Sequence, residues 1–277
     1  MFGKKRVLFC EISPVTYAIS ERKEITKRFV HDLLSSEKIA KSKDRIKLKN
    51  VVSSYSSHLI KRGKGIDPVL QENKAVNIRL ACKQLNGLII EPGETFSFWR
   101  TVGNTTKRKG YMDGRVIIGD KMIPGIGGGL CNLSNTIHNM VLRSPLKVTE
   151  FHSHSDALAP DEGGRVPFSS GTSVSYNYID YRFLNNTRQR FQLLLWCDED
   201  NLYGELRSER EFPYTFDITE EGHHFQLEDD GKYYRVSKIY KNTYKRLNGQ
   251  QIRKELVLDN HSEVMFDPEQ IPKELII

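Results

Sequence analysis

Apolar and polar positions repeat with two different periods along this chain, and the changes of period locate its elements. Residues 72–86 read as a helix: Ile78, Ala81, Cys82 and Leu85 share one side, with Val76 and Leu80 beside them. Gly87 fits the position just past its C-terminus. Residues 19–34 give another amphipathic pattern through Ile25, Phe29, Val30, Leu33 and Leu34. A further helix starts at Leu130, where Leu133, Ile137, Met140 and Val141 recur at helical spacing. Residues 88–90 read as a short buried strand, and Pro92-Gly93 turns the chain into an aromatic strand at 94–99. Residues 115–118 and 121–123 flank Gly119-Asp120 as a hairpin. Residues 147–154 read as a strand that would put His152 and His154 on one face. After a loop at 155–172, strands are predicted at 173–184, 191–197 and 202–207, then shorter strand-and-turn units over 209–277. Asp229-Asp230-Gly231 and Asn248-Gly249 mark turns there.

This order predicts an α+β fold: a helical N-terminal region, two helices packed on an antiparallel sheet, and C-terminal β units. Three regions are expected: a basic, mostly helical 1–66, a core at 67–208, and a small β-rich 209–277. Residues 63–68, GKGIDP, form the boundary loop between the first two.

Composition changes this picture little. At 277 residues, 38% hydrophobic and 28% charged, the chain is an ordinary globular one. The formal net charge of +7 gathers at residues 4–6, 23–28, 38–49 and 61–64. Such runs suit an anionic membrane surface or wall polymer, or a plainly solvated helical face. No basic motif interleaved with aromatics points to specific nucleic-acid binding. Cys10, Cys82, Cys131 and Cys197 form no C-x-x-C pair, so reduced thiols are expected, with Cys82 in the core. The apolar run 7–10 is too short for a signal peptide or membrane span, which predicts a cytoplasmic protein with peripheral membrane association open to it.

The candidate chemistry centres on residues 125–139, GIGGGLCNLSNTIHN. Four of the five residues 125–129 are glycine, and Cys131 follows in the first turn of the predicted helix. Unpaired first-turn amides and the helix dipole favour a thiolate there. His152 or His154 would take the thiol proton, and the sulfur would attack an amide or ester carbonyl to give a thioester. The amides of Cys131, Gly127, Gly128 and Gly129 could form an oxyanion hole. His138 lies two turns up the helix, on the face of Ser134, and reads as lining a pocket. The alternatives are a tight structural glycine loop with a buried Cys131, or zinc held by Cys131, His152, His154 and an acid such as Asp156. No H-E-x-x-H or C-x-x-C supports zinc, and the glycine run lacks the Lys-Ser/Thr of a P-loop, so no metal or cofactor is assigned. His31, His58, His223, His224 and His261 read as surface residues.

The runs Gln71-Glu72-Asn73-Lys74, Leu85-Asn86-Gly87-Leu88, Pro92-Gly93-Glu94-Thr95-Phe96-Ser97-Phe98-Trp99, Gly127-Gly128-Gly129-Leu130-Cys131, Ser144-Pro145-Leu146 and His152-Ser153-His154 resemble the VanW family. The resemblance covers about half the chain. It implies a bacterial protein accessory to glycopeptide (vancomycin) resistance, acting on peptidoglycan precursors or stem peptides. It also implies a cysteine-dependent, L,D-transpeptidase-like role, with Cys131 as nucleophile and His152 or His154 as base. Two positions depart from the family pattern: Asn132 stands where a Gln usually follows the cysteine, and Gly171 where an Asp is frequent. A substitute for that acid would be Asp156 or Asp161. The second reading is a non-catalytic binding protein that keeps the scaffold and a pocket at Gly127, Gly128, Gly129, Asn132, Ser134 and His138.

Overall fold

A long polar-capped helix begins the fold. A computed structural model describes residues 7–60, 67–118, 121–153, 156–157 and 172–277. Helix α1 (Pro14–Leu34) starts at Ser13, whose hydroxyl accepts the Thr16 amide at 3.2 Å, with Pro14 pre-set for the first turn. Then come β1 (Asn50–His58) and α2 (Pro68–Leu85), the latter capped by Asp67. β2 (Leu88–Ile90), β3 (Thr95–Ser97) and the short α3 (Phe98–Val102) follow. β4 (Asp113–Ile118) and β5 (Lys121–Ile126) form a hairpin that leads into α4 (Leu130–Leu142). β6 (Lys147–Glu150), β7 (Asp156–Ala157), β8 (Arg182–Leu184), β9 (Phe191–Cys197) and β10 (Asn201–Ser208) come next, and all but β7 belong to the core. Three long strands end the fold: β11 (Tyr214–Leu227), β12 (Tyr233–Lys245) and β13 (Gln251–Val264).

The central sheet has the order β1-β10-β9-β2, antiparallel throughout. Helices α2 and α4 pack on it. Ile78, Ala81, Cys82 and Leu85 of α2 and Leu133, Ile137, Met140 and Val141 of α4 are all buried, so both helical periods point where the sequence put them. A second sheet, β3-β8-β6, carries a ring cluster in which Phe96 stacks on Phe183 at 4.7 Å. The third sheet, β11-β12-β13-β7, docks through Leu142, Ile218 and Ile239. Lys241 on β12 donates to the Ser144 carbonyl just beyond α4 at 2.5 Å, a cation at a helix C-terminus. Burial lowers the Lys241 ammonium to about 8.

The α+β class stands, with four local corrections. The N-terminal region is not helical throughout: β1 lies inside it and pairs with β10, from Asn50↔Ser208 to His58↔Asn201. The aromatic run 94–99 is a strand only as far as Ser97, where the Ser97 hydroxyl caps α3 by accepting the Arg100 amide. The run 173–184 is strand only from Arg182; before it, Ser175 to Ile179 folds back through Asn177 at φ 57°. The C-terminal units are single strands of 13 or 14 residues rather than short pieces. The Gly119-Asp120 turn lies outside the described residues. Cys82 is core as expected, and its thiol lies beside that of Cys197.

Helix α1 is held by charge. The guanidinium of the buried Arg182 reaches both oxygens of Asp32 (2.8 and 2.7 Å), Glu37 (2.7 Å) and Asp180 (2.8 Å). Arg28 adds an ion pair to Glu150. Asp180 also accepts the Ser97 hydroxyl (2.5 Å) and the Trp99 amide (3.0 Å), which ties α3 to the same centre. Burial works to raise the Asp32 carboxyl, but the hydrogen bonds and charge of Arg182 pull it below its ordinary value overall. Removing one member of such a network leaves an uncompensated buried charge. Arg182→Ala is expected to lower the unfolding free energy by about 3–5 kcal/mol in urea titrations. In the same variant, hydrogen exchange across α1 should speed up more than across α2.

Candidate functional site

The glycine run is built as a backbone crossing. Gly128 lies against Gly114 of β4 so closely that a Cβ on Gly128 would come within 2.2 Å of the Gly114 carbonyl carbon. Asn77, fully buried on α2, fastens this crossing: its Nδ2 donates to Gly128 O and Met112 O, both at 3.0 Å, and its Oδ1 accepts the Met112 amide at 2.8 Å. Gly129 is the N-cap of α4 at φ 93°, over the Lys74 side chain, a conformation that L side chains rarely adopt. The Gly127 amide donates to Met112 O (3.0 Å) and the Gly128 amide to Gly125 O (3.0 Å). Those two donors are therefore spent on backbone carbonyls, which corrects their place in an oxyanion hole.

Cys131 sits in the first turn of α4, as expected from the spacing. Its Sγ–H donates to Val174 O at 3.9 Å, and Ser173 also touches the thiol. The residue is half-buried by area, yet its thiol is densely surrounded, and burial pushes its pKa up against the opposing effect of its contacts with Val174 and Ser173. The resting group is thus a thiol, not the thiolate the helix position alone suggests.

Residues 172–174 join the other parts. The Thr172 carbonyl accepts the Ser134 hydroxyl at 3.2 Å, and the Thr172 amide donates to Asn135 Oδ1. The Ser173 amide donates to His152 O at 2.7 Å. Cys131, Ser134 and the His152 backbone therefore meet on one three-residue segment. The His152 ring turns to Glu150, with Nε2 3.0 Å from Oε1. β6 ends at Glu150, so His152 lies beyond the strand rather than on it. His154, Gly171 and Asp161 lie outside the described residues, as does the side chain of Asp156. Among the described residues, no group of three or more His, Cys, Asp or Glu is placed to hold a metal.

The remaining pocket candidates are structural. Asn132 donates from Nδ2 to His58 O and accepts Ser57 Oγ on Oδ1, both at 3.0 Å, so its amide fastens α4 to β1. His138 is buried, stacked on Phe151 at 4.7 Å, with Nδ1 3.1 Å from the Tyr181 hydroxyl. Burial drops its pKa to about 3, which keeps it neutral. A groove of about 270 Å³ opens elsewhere, between β1 and β11, lined by Val52, Arg143, Glu211, Phe212, Phe216 and Arg246 among others. Sequence reasoning missed this groove, and it missed Glu150, Asp180 and Arg182. The Glu150-x-His152 and Asp180-x-Arg182 spacings, one strand period each, were the available signal.

Residues 73–207 match the family model described as VanW like protein. Over these residues the chain belongs to the VanW family. It is 29% identical over 202 residues to the vancomycin B-type resistance protein VanW of Enterococcus faecalis, covering 73% of each chain. It is 33% identical over 118 residues to the uncharacterized protein YoaR of Bacillus subtilis, covering 43% of this chain and 37% of that one. No solved structure matches it. The VanW-matched stretch holds the glycine crossing, Cys131, Glu150, His152 and Arg182. The partners Arg28, Asp32 and Glu37 and strand β1 come from residues before it.

Two measurements follow from these environments. His138 is neutral in the fold but takes a proton in the unfolded chain below about 6.5, so the unfolded state binds more protons between about 6.5 and 3. Stability is lost as pH falls through that window, at up to about 1.4 kcal/mol per unit, and His138→Gln should flatten the loss in urea titrations between about pH 6 and 4.5. Iodoacetamide at about pH 7.5 should label Cys131 at least about tenfold more slowly than a free thiol, by peptide mass mapping, and His152→Ala should leave that rate unchanged.

Proposed function

We propose that this VanW-family chain is an accessory protein of glycopeptide resistance that binds a peptidoglycan stem peptide rather than turning it over at a resting cysteine. The observation that carries this reading is the groove between β1 and β11. Each is an end strand of its sheet, so the groove runs between two strand edges. An extended peptide is recognised at such edges by main-chain hydrogen bonds. Arg143 and Arg246 supply guanidinium donors for its carboxylates, and Glu211 supplies a carboxylate for a side-chain amine. Phe212 and Phe216 give the walls apolar surface. The link to resistance rests on likeness to the vancomycin B-type resistance protein VanW.

A second reading, cysteine-centred acyl transfer, is favoured by one observation: Ser173 touches the Cys131 thiol and bonds to His152, whose ring is already oriented by Glu150. In that reading His152 takes the thiol proton and the sulfur attacks an amide carbonyl. The amine leaves with the proton, and water or a second amine releases the thioester.

Calorimetric titration with a soluble stem pentapeptide, paired with intact-protein mass spectrometry, separates the two. Binding that weakens about tenfold or more in Arg143→Met and Arg246→Met, is unchanged in Cys131→Ala and leaves no added mass is the expected result. An acyl adduct on the protein that disappears in Cys131→Ala overturns it in favour of the second reading. No binding by the unaltered chain overturns both.

A further inference from the structure

Helix α1 turns its polar side to the body of the protein and its apolar side outward. The inward side carries Tyr17, whose phenol lies beside that of Tyr178, with Arg28 and Asp32 in the Arg182 network. The outward side carries Val15 (67% exposed), Ile19 (53%), Phe29 (53%), Val30 (46%) and Leu33 (72%). No residue of the helix is buried. The turn before it adds Val7, Leu8, Phe9 and Ile12, all more than half exposed. Apolar faces normally point to the core, and a contiguous exposed apolar strip of this kind marks a surface that something covers.

Charge identifies the cover. Arg22 lies within the exposed row, and Lys23 and Lys27 lie beside it, all exposed. Glu21 and Asp32 are turned inward and less exposed. Lys27 is also 3.6 Å from Glu24, which leaves Arg22 and Lys23 as the uncompensated cations of the face, and a two-fold contact would bring two such like-charged patches together. Anionic headgroups neutralise them instead, and the side-chain stems lie along the apolar strip. The helix has 21 residues, a length of about 31 Å. No helix among the described residues is long and apolar enough to cross a membrane, so contact of this kind is in the plane of the interface.

We propose that α1 and the apolar turn preceding it form an interfacial anchor that lays this protein on an anionic lipid surface. Tryptophan and aliphatic positions of the core take no part; the anchor is confined to a face that the fold leaves open. The charge network fixes the helix so that its apolar row is presented as a rigid strip.

Co-sedimentation of the full chain with phosphatidylcholine vesicles and with vesicles of equal phosphatidylcholine and phosphatidylglycerol tests this. Variants are the pair Phe29→Ser with Leu33→Ser, and the triple Arg22→Glu, Lys23→Glu and Lys27→Glu. All five positions are exposed, and circular dichroism melting verifies that the fold is kept. Binding to the anionic vesicles, weakened about tenfold or more by each variant set and by salt near 0.5 M, is expected. No binding by the unaltered chain, or binding that neither variant set changes, overturns the proposal. A dimer in sedimentation velocity that Phe29→Ser with Leu33→Ser dissolves, without vesicle binding, assigns the face to a second copy and overturns it as well.

Discussion

One guanidinium, that of Arg182, holds the negative charge that this fold takes out of water. Asp180 is fully buried, Asp32 nearly so, and Glu150 largely so. Each would be costly to enclose alone. Arg182 reaches Asp180 and Asp32, and Glu37 beside them, within 2.8 Å, and lies 3.5 Å from Glu150, to which Arg28 adds an ion pair from α1. This arrangement decides more than stability. Because α1 is recruited by ion pairs and by Tyr17, its polar side has to face inward. The apolar side is then left open, as a consequence of how the helix is attached.

The glycine stretch and the cysteine after it look like chemistry, yet much of their geometry serves construction. Gly128 allows a strand and a loop to cross at backbone distance, Asn77 fastens the crossing, and Gly129 starts α4 at a left-handed residue. Asn132 turns both ends of its amide to β1. Together these contacts set where α4 begins, and so where the Cys131 sulfur sits against residues 172–174. A loop rich in glycine before a cysteine is therefore compatible with a precise scaffold, and its residues need not be donors to a substrate.

What was legible in the sequence was what local periodicity controls. The rows Ile78-Ala81-Cys82-Leu85 and Leu133-Ile137-Met140 bury as read, although α4 is buried on its polar side as well, at Ser134, Thr136, His138 and Asn139. The turns at Asp230-Gly231 and Asn248-Gly249 separate strands that pair as antiparallel hairpins, interrupted by bulges. Illegible features were those fixed over distance. Arg182 and Asp32 are separated by 150 residues, and nothing near either announces the other. β1, with four serines in nine residues, carries no clean apolar alternation; its serines bond to α4, Ser53 to Met140 O and Ser57 to Asn132 and Thr136. The α1 pattern was read correctly as amphipathic, but its direction depends on ion partners that a periodicity does not contain. The raised thiol of Cys131 follows from packing by Val174 and Ser173, which come to it from 40 residues away in sequence or more.

The 150-residue span between Asp32 and Arg182 also has a meaning in time. A ribosome adding about 5–20 residues per second makes α1 roughly 8–30 s before the arginine that seats it. For that interval the helix has neither an inside nor an outside. Its orientation is settled only when β8 emerges and the carboxylates acquire their counter-charge. Helix α1 is thus made well before it can be placed, and chaperones or a lipid surface have access to either side of it before the body of the fold does.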